Sequence, residues 1–158
     1  MRELRLKMLN VPTELGLKPT DEFPRVCGVL MDWPLETGSV KFVSTVVALS
    51  TGDASVYSTG TFGVFGGIGH ETVRNVAKAC VKVAEKLYDE ATPTKDYPYP
   101  ESGRIRFYLV CYDGVRMIEA DLDSVAQGKH KCSDLYQQAQ QVMTELRLIT
   151  QKQKGEIE

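Results

Sequence analysis

The segment richest in residues that could do chemistry runs from Gly60 to Glu71 and reads GTFGVFGGIGHE. It holds five glycines in ten residues, just before the most strongly marked helix of the chain. Because glycine has no Cβ, such a segment can adopt positive φ and turn its N–H groups toward one point. The helix start adds unpaired N–H donors and a partial positive charge. We expect an anion site here. Its candidate residues are Gly63, Gly66, Gly67, Gly69 and His70.

Two familiar phosphate-binding motifs do not fit this segment. A P-loop has a lysine directly after its last glycine, whereas His70 follows Gly69. A dinucleotide fingerprint needs a third glycine where Thr72 stands. We therefore expect no cofactor. A second interpretation is that the glycines only let the chain turn sharply between a strand and a helix.

An acid–base pair is a further hypothesis for the same segment. Histidine is a common general base, and Glu71 follows His70, with Asp32, Asp53 or Ser50 as a third member. Glu71 would repel a bound anion, although it suits the helix dipole. The alternative is that His70 caps the helix or is a surface histidine.

The cysteines show no CxxC spacing and are predicted to be reduced, buried and structural. They are Cys27, Cys80, Cys111 and Cys132. His130 and Cys132 place two metal-ligand types close together, but a zinc site needs four ligands. We therefore expect no metal site.

Length and charge limit the classes of protein. A chain of 158 residues fits one domain, and a net charge of −2 argues against general nucleic-acid binding. No apolar run approaches the ~20 residues that span a bilayer, and the start lacks the apolar core of a signal peptide. We expect no membrane partner and, by default, a cytoplasmic location. Residues 1–25 read as an N-terminal arm, 26–150 as a single α+β domain and 151–158 as a polar tail.

Hydrophobic periodicity predicts the elements that hold these residues in place. A strand over 26–31 ends before Trp33-Pro34, and Thr51-Gly52-Asp53 joins two strands into a hairpin. The first of these two strands is apolar on both sides, so it belongs in the sheet interior. The strands of this hairpin cover 40–49 and 54–58, and the helices follow His70 and Ser133.

A second hairpin is predicted around Asp113-Gly114, a dipeptide that favours a type I′ turn. A two-residue turn there pairs Phe107 with Ala120 and Arg106 with Asp121, among others. This register places apolar side chains on one face and complementary charges on the other. The charged face, with Arg104, Arg106 and Tyr108, superficially resembles a stacking platform for single-stranded nucleic acid, but Glu119 and Asp121 would neutralise it.

The element order is therefore arm-β-β-β-α-β-β-α, an α+β fold of about five mostly antiparallel strands with two amphipathic helices. This order resembles profilin-like folds, the group that includes longin and roadblock domains. It differs from them in placing the first helix after three strands instead of two. The resemblance implies a similar layered architecture and carries no functional residue across.

Three functions remain open from the sequence. The first is a non-enzymatic interaction or scaffold module that forms a homo-oligomer, most simply a dimer. It is favoured by the apolar turn end of the second hairpin and by a narrow stripe on the last helix. This stripe consists of Leu135, Ala139, Val142, Leu146 and Ile149. The second is a sensor for a small anionic metabolite or nucleotide at residues 60–71. The third is an enzyme that uses His70 and Glu71.

Overall fold

The computed structural model describes residues 2–59, 65–66 and 70–157. Within these ranges the chain has an α+β fold built on a seven-stranded sheet in which every neighbouring pair is antiparallel. The strand order is β4-β3-β2-β1-β6-β7-β5. The strands are β1 Val26–Thr37, β2 Val40–Leu49, β3 Ala54–Ser58, β4 Phe65–Gly66, β5 Thr92–Thr94, β6 Arg104–Cys111 and β7 Gly114–Asp121.

The predicted α+β class and element order are confirmed, with short additions. The helices of the described ranges are α1 Arg2–Leu9, α2 Val11–Leu15, α3 Glu71–Lys86, α4 Leu122–Ala126 and α5 Ser133–Ile157. Helices α1 and α2 form within the segment that was read as an arm without periodicity. Two residues of the sequence mark the ends of α2: Pro12 lies in its first turn, and Gly16 follows its last residue in the left-handed conformation. Helices this short depend on tertiary packing for their stability.

Helices α3 and α5 pack against each other and against one face of the sheet, here called the helical face. The buried side of α3 consists of Val73, Ala77, Cys80, Val81 and Ala84, at the predicted spacings. On α5 the narrow stripe of Leu135, Ala139, Val142 and Leu146 is buried in the same core. The stripe is therefore used inside the molecule, and it is not a free seam for a second copy.

The opposite face, here called the arm face, is covered by the N-terminal segment and by the loop before β6. Leu9 and Val11 are buried there, together with Val47 of β2 and Val110 of β6. The apolar turn end of the second hairpin, marked by Val115, belongs to this cluster. Strand β2 is thus buried on both faces in the sheet interior, as its sequence predicts.

Strand β1 continues six residues past its predicted end and passes through Pro34. Pro34 pairs with Val43 of β2, whereas the pairing of β1 with β6 stops at Asp32 and Arg106. Proline lacks a backbone N–H and cannot donate a hydrogen bond to a second neighbouring strand. Among the described residues, no strand pairs with Pro34 on the side of β1 away from β2. The prediction that Trp33-Pro34 closes the strand was therefore wrong.

The second hairpin forms with a register shifted by two residues from the prediction. Phe107 pairs with Ile118 instead of Ala120, and Arg106 pairs with Glu119 instead of Asp121. A type I′ turn needs a positive φ at both central residues. Gly114 has a positive φ, at 142°, but Asp113 does not, since every described residue with a positive φ is a glycine. The loop is therefore one position earlier than predicted. A shift of two keeps every side chain on its predicted face.

We predict that Gly52→Ala destabilises the protein more than Gly114→Ala. Both glycines have positive φ, which costs an alanine about 1–2 kcal/mol. A Cβ on Gly52 would also lie 3.0 Å from Cγ of Arg74, whereas a Cβ on Gly114 meets nothing within 4 Å. Urea denaturation of the two variants measures the difference. Equal losses would show that Arg74 moves aside freely.

Candidate functional site

The structure covers the predicted anion site only in part. Gly63, Gly67 and Gly69 lie outside the described residues, and Gly66 pairs with Ser55 through the backbone of β4. His70 is exposed just before α3, and its side chain makes no capping hydrogen bond. His70 is therefore an exposed residue at the N-cap position of α3, which agrees with its interpretation as a surface histidine, although its side chain does not cap the helix. The anion site stays a prediction.

The other groups considered for an acid–base set are engaged elsewhere. Asp53 accepts a hydrogen bond from the Thr51 hydroxyl in the turn between β2 and β3. Asp32 is fully buried in β1 and is bonded to Arg5 and Thr45. Neither aspartate is hydrogen-bonded to His70. Asp32 therefore belongs to a buried ion pair and not to the acid–base set that was its predicted role.

Asp32 and Arg5 form a buried ion pair between β1 and α1. Arg5 donates from Nε to Oδ1 at 3.3 Å and from Nη2 to Oδ2 at 2.5 Å, and Thr45 donates its hydroxyl to Oδ1 at 2.7 Å. Asp32 is 0% exposed and Arg5 is 3% exposed. A two-point contact between a guanidinium and a carboxylate is the strongest form of ion pair that side chains make. It fixes α1 on the arm face.

Tyrosines surround the Arg5 guanidinium. Its Cζ lies 4.3 Å from the ring centroid of Tyr99 and 5.3 Å from that of Tyr108, within the range of cation–π attraction. Tyr97 meets the Tyr108 ring edge to face at 5.8 Å, and the Tyr108 hydroxyl donates to the carbonyl of Pro98. We call the group made of Asp32, Thr45, Tyr99 and Tyr108 the Asp32 cage.

Burial shifts the titration of both members of the ion pair. It raises the pKa of Asp32, and the hydrogen bonds and positive charge of Arg5 oppose that rise. Burial alone would lower the pKa of Arg5, but hydrogen bonding and attraction to Asp32 outweigh it, so the net shift is upward. Arg5 therefore keeps its proton. Without the positive charge of Arg5, the ionised form of Asp32 would be strongly disfavoured in this buried position.

The charged face of the second hairpin is neutralised by its own pairs. Glu119 binds Arg106 at 2.8 Å and Arg104 at 3.4 Å. Tyr108, which would have to stack on a base, is fully buried. Glu119 neutralises this face as expected, whereas Asp121 instead accepts hydrogen bonds from Ser124 at the start of α4.

The four cysteines are free thiols and all are buried. Burial raises the pKa of Cys80 and Cys111 to about 12 and that of Cys27 and Cys132 to about 11. Nδ1 of His130 accepts a hydrogen bond from the backbone N–H of Cys132 at 3.0 Å, which makes this pair part of a turn. Among the residues in the described ranges, no three His, Cys, Asp or Glu side chains cluster as metal ligands would.

An open groove of about 390 Å³ lies between α1–α2 and strands β2 and β3. This volume is in the range of ligand pockets, ~300–1,000 Å³. Apolar side chains make up much of its lining, and charged ones also contribute. We call it the arm groove; its residues are Lys7, Met8, Val11, Glu14, Leu15, Val47, Leu49, Asp53, Ala54, Ser55 and Tyr57.

Neither the Asp32 cage nor the arm groove follows from the sequence pattern. The available signal for the cage was a charged residue, Asp32, next to the apolar run of the first strand. A buried aspartate needs a cation, but the chain holds nineteen lysines and arginines from which to choose. Nothing local selects Arg5, which is 27 positions away.

Comparisons with protein-family models, with curated proteins and with solved structures found no match to this chain. The resemblance to profilin-like folds therefore stays a prediction that rests on element order. In the part of the chain that the structure describes, no helix combines the length and apolar character needed to cross a bilayer.

We predict that Arg5→Met destabilises the protein by about 3–5 kcal/mol at neutral pH, because it leaves a buried carboxylate without its cation. The double variant Arg5→Met with Asp32→Leu should recover most of that loss, since no buried charge remains. Urea denaturation of both variants and the wild type measures this. A double variant no more stable than the single one would show that the pair is needed for more than neutralisation.

The cost of Arg5→Met should also depend on pH. The pKa of Asp32 is raised above its usual 3.8 by burial, and removing Arg5 raises it further. A carboxyl group whose pKa is higher in the native state than in the unfolded state contributes its full stability below about pH 3.8, the unfolded value. That contribution is lost as the pH rises through the native pKa. The difference in unfolding free energy between wild type and variant should therefore grow as pH rises. A difference that is constant with pH would contradict this assignment.

The thiols should react only on unfolding. Their raised pKa values disfavour the reactive thiolate, and burial excludes the reagent. Titration of the native protein at pH 8 with an aromatic disulfide reagent should detect almost no thiol, and the denatured protein should show four. Rapid reaction of one thiol in the native state would identify a cysteine that is more accessible than the structure shows.

Proposed function

We propose that this protein is a non-enzymatic interaction module that acts as a homodimer, with the arm groove as its contact surface. The carrying observation is an open, largely apolar groove beside Leu15, a leucine that is 56% exposed. An apolar depression next to a protruding apolar side chain is a typical docking surface. In a symmetric pair, Leu15 of each copy can insert into the arm groove of the other copy.

The burial of the other candidate surfaces supports the choice of the arm groove for the proposed dimer contact. The turn end of the second hairpin and the α5 stripe were the sequence-based candidates, and both are covered inside one molecule. Leu148, another exposed large apolar residue, lies on α5, a helix of the opposite face. The groove and Leu15 combine exposed apolar surface with a concave shape.

The charges of the groove favour a second copy of this chain as the partner. Lys7 and Glu14 both line it, on α1 and α2 respectively. In a two-fold symmetric contact, residue i of one copy meets residue j of the other, and the reverse also holds. Lys7 can therefore face Glu14 of a second copy at two equivalent places. A patch with one positive and one negative group is self-complementary in this way.

We predict that Leu15→Asp weakens self-association at least about tenfold. Each copy would lose a buried leucine worth roughly 1.5–3 kcal/mol. Leu148→Asp is the matched control, because it changes an equally exposed leucine on the other face and should leave the dimer unchanged. Light scattering coupled to gel filtration over a wide concentration range gives the measurement.

A charge exchange makes the same test specific for two-fold pairing. Lys7→Glu should weaken the dimer because two like charges then meet. Lys7→Glu combined with Glu14→Lys should restore it, since the exchanged pair attracts again. A wild-type protein that is monomeric at high concentration, or a dimer broken by Leu148→Asp and not by Leu15→Asp, would overturn the proposal.

A further inference from the structure

We propose that the Asp32 cage is a binding site for a guanidinium group, and that Arg5 is the occupant supplied by the chain itself. The site has the components that selective recognition of this group requires: a buried carboxylate, a hydroxyl that orients it and aromatic rings around the cation. It goes beyond the proposed dimer contact, which uses a different part of the arm face.

The carboxylate is positioned for a planar, two-pronged donor. Oδ1 and Oδ2 of Asp32 each accept from a different nitrogen of Arg5, and Thr45 donates to Oδ1 from the neighbouring strand. Thr45 and Asp32 are directly paired in the β1–β2 ladder, so the backbone holds both groups in place. An ammonium is a point charge and cannot satisfy both oxygens with the same fork geometry.

The aromatic walls select for a cation. Tyr99 and Tyr108 both lie within ~6 Å of the guanidinium carbon, the range in which ring faces attract a positive charge. Tyr108 is held by its hydrogen bond to Pro98 and by the edge-to-face contact with Tyr97. The walls are therefore parts of the fold, and Arg5 occupies the space between them.

A cleft of about 790 Å³ borders the cage; it is lined by Arg5 itself and by residues that include Lys95, Asp96, Tyr97 and Tyr99. Because Arg5 lines this cleft and also contacts Asp32, we expect removal of the Arg5 side chain to extend the cleft toward the carboxylate. It is large enough for a small guanidinium compound and for the end of an arginine side chain from another segment.

Replacing Arg5 by alanine opens the cage and allows a direct test. The atoms removed correspond to ethylguanidinium, so this compound is the matched probe. In Arg5→Ala, millimolar ethylguanidinium should raise the melting temperature saturably and lower the unfolding equilibrium constant about tenfold at ten times its Kd. Ethylammonium, which lacks the fork, should give a much smaller shift. The wild type should not respond.

The variant Arg5→Ala with Asp32→Asn supplies the decisive control, because it lacks the carboxylate. It should show no shift with ethylguanidinium. An equal shift in this double variant or in the wild type would show a general solvent effect and overturn the proposal. The absence of any shift in Arg5→Ala would also overturn it.

If Arg5→Ala is unfolded in buffer, the same probe is tested by refolding. Ethylguanidinium, but not ethylammonium, should then restore the native fluorescence of Trp33; no recovery overturns the proposal.

Discussion

Asp32 is a carboxylate buried at the centre of a sheet, and a charge in that position costs several kcal/mol unless a cation neutralises it. The neighbouring strands supply a hydroxyl from Thr45 and the positive charge of Arg106, which pairs with Asp32 in the β1–β6 ladder and attracts the carboxylate. Arg5 supplies the cation from 27 residues earlier in the chain. This pair joins the N-terminal segment to the sheet, and the cleft beside the tyrosines lies next to it.

The two faces of the sheet are therefore covered by different means. On the helical face, α3 and α5 present continuous apolar sides, and their packing is extensive and regular. On the arm face, short helices and a loop are attached at a few places, among them Arg5, Leu9 and Val11. A covering held at separate points leaves gaps between them. The arm groove and the cleft are such gaps, and both proposed binding surfaces therefore lie on this face.

The second hairpin shows how local patterns and backbone geometry contribute separately. Alternation assigned Ile105, Phe107 and Leu109 to one face, and all three lie in the helical-face core. The turn lies one position before the predicted Asp113-Gly114: Gly114 already pairs with Cys111, and Asp113 lacks the positive φ that a type I′ turn requires. The face on which a side chain lies depends on the two-residue alternation of the strand, so a shift of two residues leaves it unchanged. The pairing register depends instead on the conformation of the turn.

The sequence by itself determined the α+β class, the order of the main elements and the buried sides of α3, α5 and β2. These follow from periods of 3.6 and 2 residues within single segments, because the chain geometry repeats at those intervals. Only the tertiary structure decided that Arg5 neutralises Asp32, that α1 and α2 cover the arm face, and where the grooves remain. Those contacts join residues far apart in the chain, and the hydrophobic period within a segment does not indicate which cation pairs with which carboxylate.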